Sequence, residues 1–174
     1  GVFFLGLYDG HSGFHTASSA QKYLHRYIRK NISELKHYLD KGYYESAKSL
    51  IIQAFLEFDE DLYDTSDLFK KMLAVNSGST ASIALIYNGK LITANIGDSP
   101  IYIIKPNGEI LPVFSRHCYE NEEERRRVRR EGGFFEMKGI QRLQGRLAMT
   151  RGFGDRGVSS KKTYLSAIPD VFIN

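Results

Sequence analysis

The chain has 174 residues, 42% of them hydrophobic and 25% charged, which is enough apolar material for one domain with a buried core. Its net charge of +4 comes largely from arginines clustered at 125–130, too local an excess for a nucleic-acid-binding face, and no apolar run approaches the ~20 residues of a membrane span. The lone Cys118 excludes an internal disulfide, which favours an intracellular setting, cytoplasmic or nuclear. No secretory signal is visible, and the chain opens without Met on a strand-like run, so its start reads as cut.

Residues 2–8 form a short apolar run that ends in Asp9-Gly10-His11-Ser12-Gly13, a turn-rich patch with two glycines, so a strand feeding a loop is expected there. From Phe14 onward, Ala17, Ala20, Leu24, Tyr27 and Ile28 recur at helical spacing, and this pattern fades around 31–42. A second helix is predicted from the stripe Ala47, Leu50, Ile51, Ala54, Phe55, Phe58 and Leu62. A polar stretch over 65–79 follows. Residues 80–87 and 90–96 then read as two strands joined at Asn88-Gly89, a strong hairpin turn. Gly97-Asp98-Ser99 breaks the second strand, 101–105 resumes it, Pro106-Asn107-Gly108 turns again, and 109–114 completes a predicted meander. Residues 120–131 carry acids first and arginines last, which suits a helix dipole, and Gly132-Gly133 can end that helix. Beyond it the sequence suggests a loop-rich region, a strand near 143–150 and a glycine-punctuated tail. No repeat or linker divides the chain, so one domain over 1–174 is expected. The order strand, two helices, meander argues for an α+β fold with a mainly antiparallel sheet.

Chemistry enters through the loops. Asp9 follows directly on one strand and Asp98 sits at the break of another, so their carboxylates could meet at the ends of neighbouring strands. Hard divalent ions such as Mg²⁺ or Mn²⁺ take oxygen ligands, which suits Asp9 together with the carbonyl of Gly10. A turn accounts for Asp-Gly and for Gly-Asp-Ser equally well. His11 has the chemistry of a general acid, and equally that of a surface hydrogen-bonding group. Spacing alone leaves the function open.

Five motifs in order carry a resemblance. Phe4-Leu5-Gly6-Leu7-Tyr8-Asp9-Gly10-His11-Ser12-Gly13 resembles the Asp-Gly-His-Gly-Gly signature of the metal-dependent protein phosphatase 2C (PPM-type) family. Ser77-Gly78-Ser79-Thr80-Ala81 is similar to its Ser-Gly-(Ser/Thr)-Thr-Ala, and Ala94-Asn95-Ile96-Gly97-Asp98-Ser99 to its Ala-Asn-Val-Gly-Asp-Ser. Glu124, Arg127-Val128 and Gly132-Gly133 resemble its Glu-x-x-Arg-Ile-x-x-x-Gly-Gly helix, and residues 147–155 its Leu-Ala-Val-Ser-Arg-Ala-(Ile/Leu)-Gly-Asp. Each motif is weak alone, but five in order over nearly the whole chain are specific.

The resemblance implies an αββα arrangement: a β-sandwich of mainly antiparallel sheets flanked by helices, here truncated at both ends. It implies a protein serine/threonine phosphatase in which two Mg²⁺ or Mn²⁺ ions, with a possible third, bridge a water that attacks phosphorus directly. By position, Asp9 would bridge both metals, the Gly10 carbonyl would bind one, Asp98 would serve the third site, and His11 would protonate the leaving oxygen. Residues 118–144 would form or border a mobile flap, with the arginine-rich helix a solvated element. The implied partner is a phosphoserine or phosphothreonine protein, met by a monomer, with neither nucleic acid nor membrane involved.

The family's upstream Arg and Glu-Asp pair and its downstream Asp-Gly and Asp-Asn motifs have no counterpart here, so the fragment is expected to be inactive as given. Within the matched motifs, Pro100 stands where the family has Arg, Arg116 where it has Asp, and Ser12 where it has Gly. These departures keep a second class of function open, a non-catalytic phosphatase-like binding or regulatory module.

Overall fold

A computed structural model describes residues 1–63, 72–73 and 75–174; much of the polar stretch predicted at 65–79 therefore lies outside the described residues. β1 (Phe3–Leu7), β4 (Ala81–Tyr87), β5 (Lys90–Ile96) and β11 (Asp170–Ile173) make a four-stranded sheet in the order β1-β4-β5-β11, every pairing antiparallel. The β4–β5 hairpin turns at Asn88-Gly89, both at positive φ, as the sequence predicts.

One face of the sheet presents Ala81, Ile83, Leu85, Ile92, Ala94 and Ile96, all buried, to a layer of helices. α1 (His15–Lys30) contributes Ala20, Leu24 and Ile28, and α3 (Tyr44–Asp61) contributes Ala47, Ile51, Ala54, Phe55 and Phe58, each set at helical spacing. Between them lies a helix where the apolar pattern fades, α2 (Ile32–Lys41). It buries only Leu35 and Leu39, one i,i+4 pair, too short a stripe to stand out by periodicity, and it ends at Gly42 with φ +76.

Three further expectations need correction. The meander does not extend the main sheet: β6 (Tyr102–Ile104) and β7 (Ile110–Pro112) form a separate two-stranded ribbon. Gly97 at φ +101 turns the chain away after β5, and the tail strand β11 takes the vacated edge. The loop-rich region holds a hairpin, β8 (Phe135–Lys138) and β9 (Ile140–Leu143), turned at Gly139. The strand expected near 143–150 stops at Leu143 because Gln144 and Gly145 both adopt left-handed φ, at +52 and +66, and fold the chain back on itself. The helix predicted over 120–131 is present as α4 (Glu122–Arg130), capped by the Asn121 side chain, which accepts from the backbone N–H of Glu123 and Glu124.

A small three-stranded sheet in the order β10-β3-β2 is built from β2 (Gly10–His11), β3 (Gly78–Ser79) and β10 (Phe153–Gly154). Fully buried Phe153 anchors it, with its ring 4.8 Å from that of Phe58 and 5.3 Å from that of Phe55. Phe153→Ala is expected to cost about 3–5 kcal/mol through the cavity it leaves, measured as a lowered urea midpoint with unchanged m.

Candidate active site

β1 and β5 flank β4 and both run antiparallel to it, so both deliver their C-terminal ends to the edge where β4 begins. Asp9 follows β1 and Asp98 follows β5. The two acids therefore reach one edge from strands separated by β4, rather than from adjacent strands. Thr80, just before β4, ties the two loops together. Its Oγ1 accepts from the Asp9 N–H at 3.2 Å and shares a 2.9 Å hydrogen bond with Ser99 Oγ, while its own N–H donates to the Asp9 carbonyl at 3.0 Å.

The result is a cleft of about 310 Å³ lined by Asp9, His11, Ser12, Asp98, Arg142 and Arg146, among others. Gly10 lies between the first two in β2, paired with Ser79, and a Cβ there would come within 2.8 Å of Ala17 Cβ. Ser12, which replaces a glycine of the family motif, adopts φ +55, so the turn does require the left-handed region that its side chain disfavours. A larger cavity of about 430 Å³ lies beside α1 and α3, but its carboxylate, Asp61, is already bound by the Tyr27 hydroxyl at 2.7 Å.

Each predicted site residue has a distinct environment. The Asp9 carboxylate takes no hydrogen bond from any described residue. Asp98 faces the Arg116 guanidinium at 3.4 Å. His11 Nε2 meets Asp155 Oδ2 at 2.7 Å. The Asp98 turn is held from behind by His117, which is wholly buried: the Gly97 N–H donates to His117 Nδ1 at 3.0 Å, and the His117 N–H donates to the Gly97 carbonyl at 3.0 Å. With Nδ1 accepting, the ring proton sits on Nε2 and donates to Asp170 Oδ2 at 3.0 Å.

Behind this turn lies an ion network absent from the sequence reading. Glu124 on α4, 1% exposed, binds Arg151 Nη2 at 2.7 Å, Arg127 Nη2 at 2.9 Å and the Thr150 hydroxyl at 2.5 Å, and Arg151 also reaches Asp170 at 2.8 Å. Burial alone would raise the Glu124 carboxyl, yet the bonds from Arg127, Arg151 and Thr150 hold it well below the usual carboxylate range. One face of the arginine-rich helix is thus a buried anchor, and only the rest of it is solvated. Arg142 and Arg146 were also missed; the one available signal was two cations bracketing a Gln-Gly turn.

In kind, the donors suit a hard divalent cation, since two carboxylates line the cleft and a peptide carbonyl lies between two of its residues. In number they do not complete a site. Among the described residues no three His, Cys, Asp or Glu side chains group closely enough to hold a metal. Nor is any described helix long and apolar enough to cross a membrane.

Residues 2–173 match the family model described as Protein phosphatase 2C. The chain is 33% identical over 171 residues to Probable protein phosphatase 2C 11 of Arabidopsis thaliana, covering 98% of this chain and 41% of that protein. It is 29% identical over 162 residues to the mitochondrial Protein phosphatase 1K of Xenopus laevis, covering 91% of this chain and 41% of that protein. Among solved structures, a C. elegans sex determining protein superposes with a TM-score of 0.78 at 25% identity, covering 99% of this chain and 40% of that one. The serine-threonine phosphatase 2C of Toxoplasma gondii superposes at 0.79 with 18% identity, covering 99% and 63%, a likeness of fold. The chain thus spans about two fifths of the length of the curated relatives it matches.

Proposed function

The chain belongs to the protein phosphatase 2C family, and on that premise we propose that it carries one edge of a Mg²⁺- or Mn²⁺-dependent site that hydrolyses phosphoserine and phosphothreonine in proteins. The observation that supports this most is the delivery of Asp9 and Asp98, with His11, into one cleft by two strands flanking β4. Asp9, the Gly10 carbonyl and Asp98 would supply part of the ligand shell. The ions, when bound, would neutralise charge on the phosphate and lower the pKa of water.

The chain's own residues have clear tasks in this scheme. Arg142 and Arg146 bring positive charge to the cleft that a dianionic phosphate enters. His11 would give a proton to the seryl or threonyl oxygen as the P–O bond breaks, so that the alcohol leaves neutral and water supplies the new oxygen on phosphorus. Because two carboxylates are too few for a pair of divalent ions, these 174 residues alone are expected to be inactive. His11→Ala is expected to slow hydrolysis of a phosphothreonine peptide about 100-fold, and to slow that of 4-nitrophenyl phosphate, whose leaving group needs no proton, far less. Equal slowing on both substrates would remove His11 from the acid role.

One contact favours the second reading, a non-catalytic module. The Arg116 guanidinium sits at 3.4 Å from Asp98, where the first reading puts a cation of another kind. Arg116 is 57% exposed, however, and an exposed ion pair contributes only about 0–1 kcal/mol, so an incoming metal could displace it at little cost. Calorimetric titration with Mn²⁺ separates the two readings: the module binds none.

A further inference from the structure

We propose that Asp155 is the positioning residue for His11, accepting a hydrogen bond from its Nε2–H so that the ring is held with Nδ1 free to act in the cleft. The chemistry rests on the phosphatase reading; the pairing rests on geometry alone. The 2.7 Å contact joins residues 144 positions apart. Its two partners are unequally exposed, His11 at 28% and Asp155 at 4%, so the carboxylate is the fixed member and the imidazole the one that reaches the cleft. An ionised carboxylate only accepts, which makes Nε2 the donor and leaves Nδ1 as the nitrogen that can exchange a proton with a bound substrate.

Asp155 is held by more than its partner. Its N–H donates to the Ser77 carbonyl at 3.0 Å, and its carbonyl accepts from Val158 at 2.8 Å and from Ser159 at 3.1 Å. Its φ of +55 lies in the left-handed region, which Asp tolerates better than most residues, and Gly154 before it is at φ +77. Gly154 in turn donates its N–H to buried Asp59 on α3 at 2.9 Å, so the loop is moored to the helical layer.

The two side chains converge because of Gly78. β2 and β10 pair with β3 from opposite sides, placing His11 and Gly154 each opposite Gly78. A Cβ on Gly78 would fall onto both Asp155 Oδ2 and His11 Nε2, so the contact exists only where that side chain is missing.

The test combines a spectrum with a kinetic comparison. Long-range ¹H–¹⁵N correlation of the metal-free chain is expected to show neutral His11 as the Nε2–H tautomer, and Asp155→Asn is expected to give a mixture. In the protein that carries this chain, Asp155→Asn is expected to lower kcat on a phosphothreonine peptide about 10- to 100-fold, with KM little changed and 4-nitrophenyl phosphate hardly affected. An Nδ1–H tautomer in the unsubstituted chain overturns the proposal, and so does an equal kinetic loss on both substrates at an unchanged Tm. If no phosphoester is hydrolysed at all, the phosphatase reading fails, while the tautomer still decides the pairing. The spectrum of the unsubstituted chain needs no variant to fold.

Discussion

Asp9→Asn is expected to reduce Mn²⁺-dependent phosphate release about 1,000-fold or more in the protein that carries this chain, with no measurable change in Tm. The fold has little stake in that carboxylate, which takes no hydrogen bond from any described residue. The backbone of Asp9, by contrast, is tied to Thr80 by the N–H at 3.2 Å and the carbonyl at 3.0 Å, and both bonds survive the substitution. An amide of the same shape removes the charge and one of the two ligating oxygens while keeping the side chain's volume. A metal bound through that oxygen supplies several kcal/mol of transition-state charge stabilisation, which at 1.36 kcal/mol per decade corresponds to the loss stated. Undiminished turnover in the variant would remove Asp9 from the metal site, whereas a fall in both rate and Tm would show a structural aspartate.

Glu124→Ala has the largest expected effect on stability, a loss of about 3–5 kcal/mol by urea denaturation, because it strands the Arg127 and Arg151 guanidiniums beside a buried void. The same network sets a pH dependence. The folded-state value of Glu124 is depressed below its unfolded value of about 4.3, so its contribution is fully present above that pH and lost as pH falls through the folded value. Asp170, paired with His117 and Arg151, is depressed in the same direction. The gap in stability between the unsubstituted chain and Glu124→Ala should therefore be widest above pH ~5 and narrow on acidification. A gap independent of pH down to acid unfolding would mean that the ion network contributes only packing.

These two residues mark where the sequence could and could not be read. That Asp9, His11 and Asp98 stand in turns at strand ends was legible because each lies beside a glycine that breaks an apolar run, Gly10 for the first two and Gly97 for the third. The β4–β5 hairpin was legible for the same reason, since Asn88-Gly89 encodes its own turn. The Glu124 network was not, because on the sequence it is one acid in a run of charges, and only Arg151 and Thr150, from a distant segment, make it a buried anchor. Asp155 likewise reads as a residue after a glycine until β10 folds beside β3. β11 escaped notice because an edge strand of four half-buried residues has little alternation to show. The hairpin of β8 and β9 escaped because its turn is one glycine, and its exposed Met137 and Ile140 mimic loop residues.

Release of phosphate from a phosphothreonine peptide by the protein that carries this chain, in Mn²⁺ and again after chelation, tests the central claim most directly. The expected result is turnover in Mn²⁺ that disappears with the chelator and returns when the metal is restored. A folded protein that releases no phosphate and binds no Mn²⁺ would contradict it, and would make the cleft of Asp9, His11 and Asp98 a binding surface with no hydrolytic role.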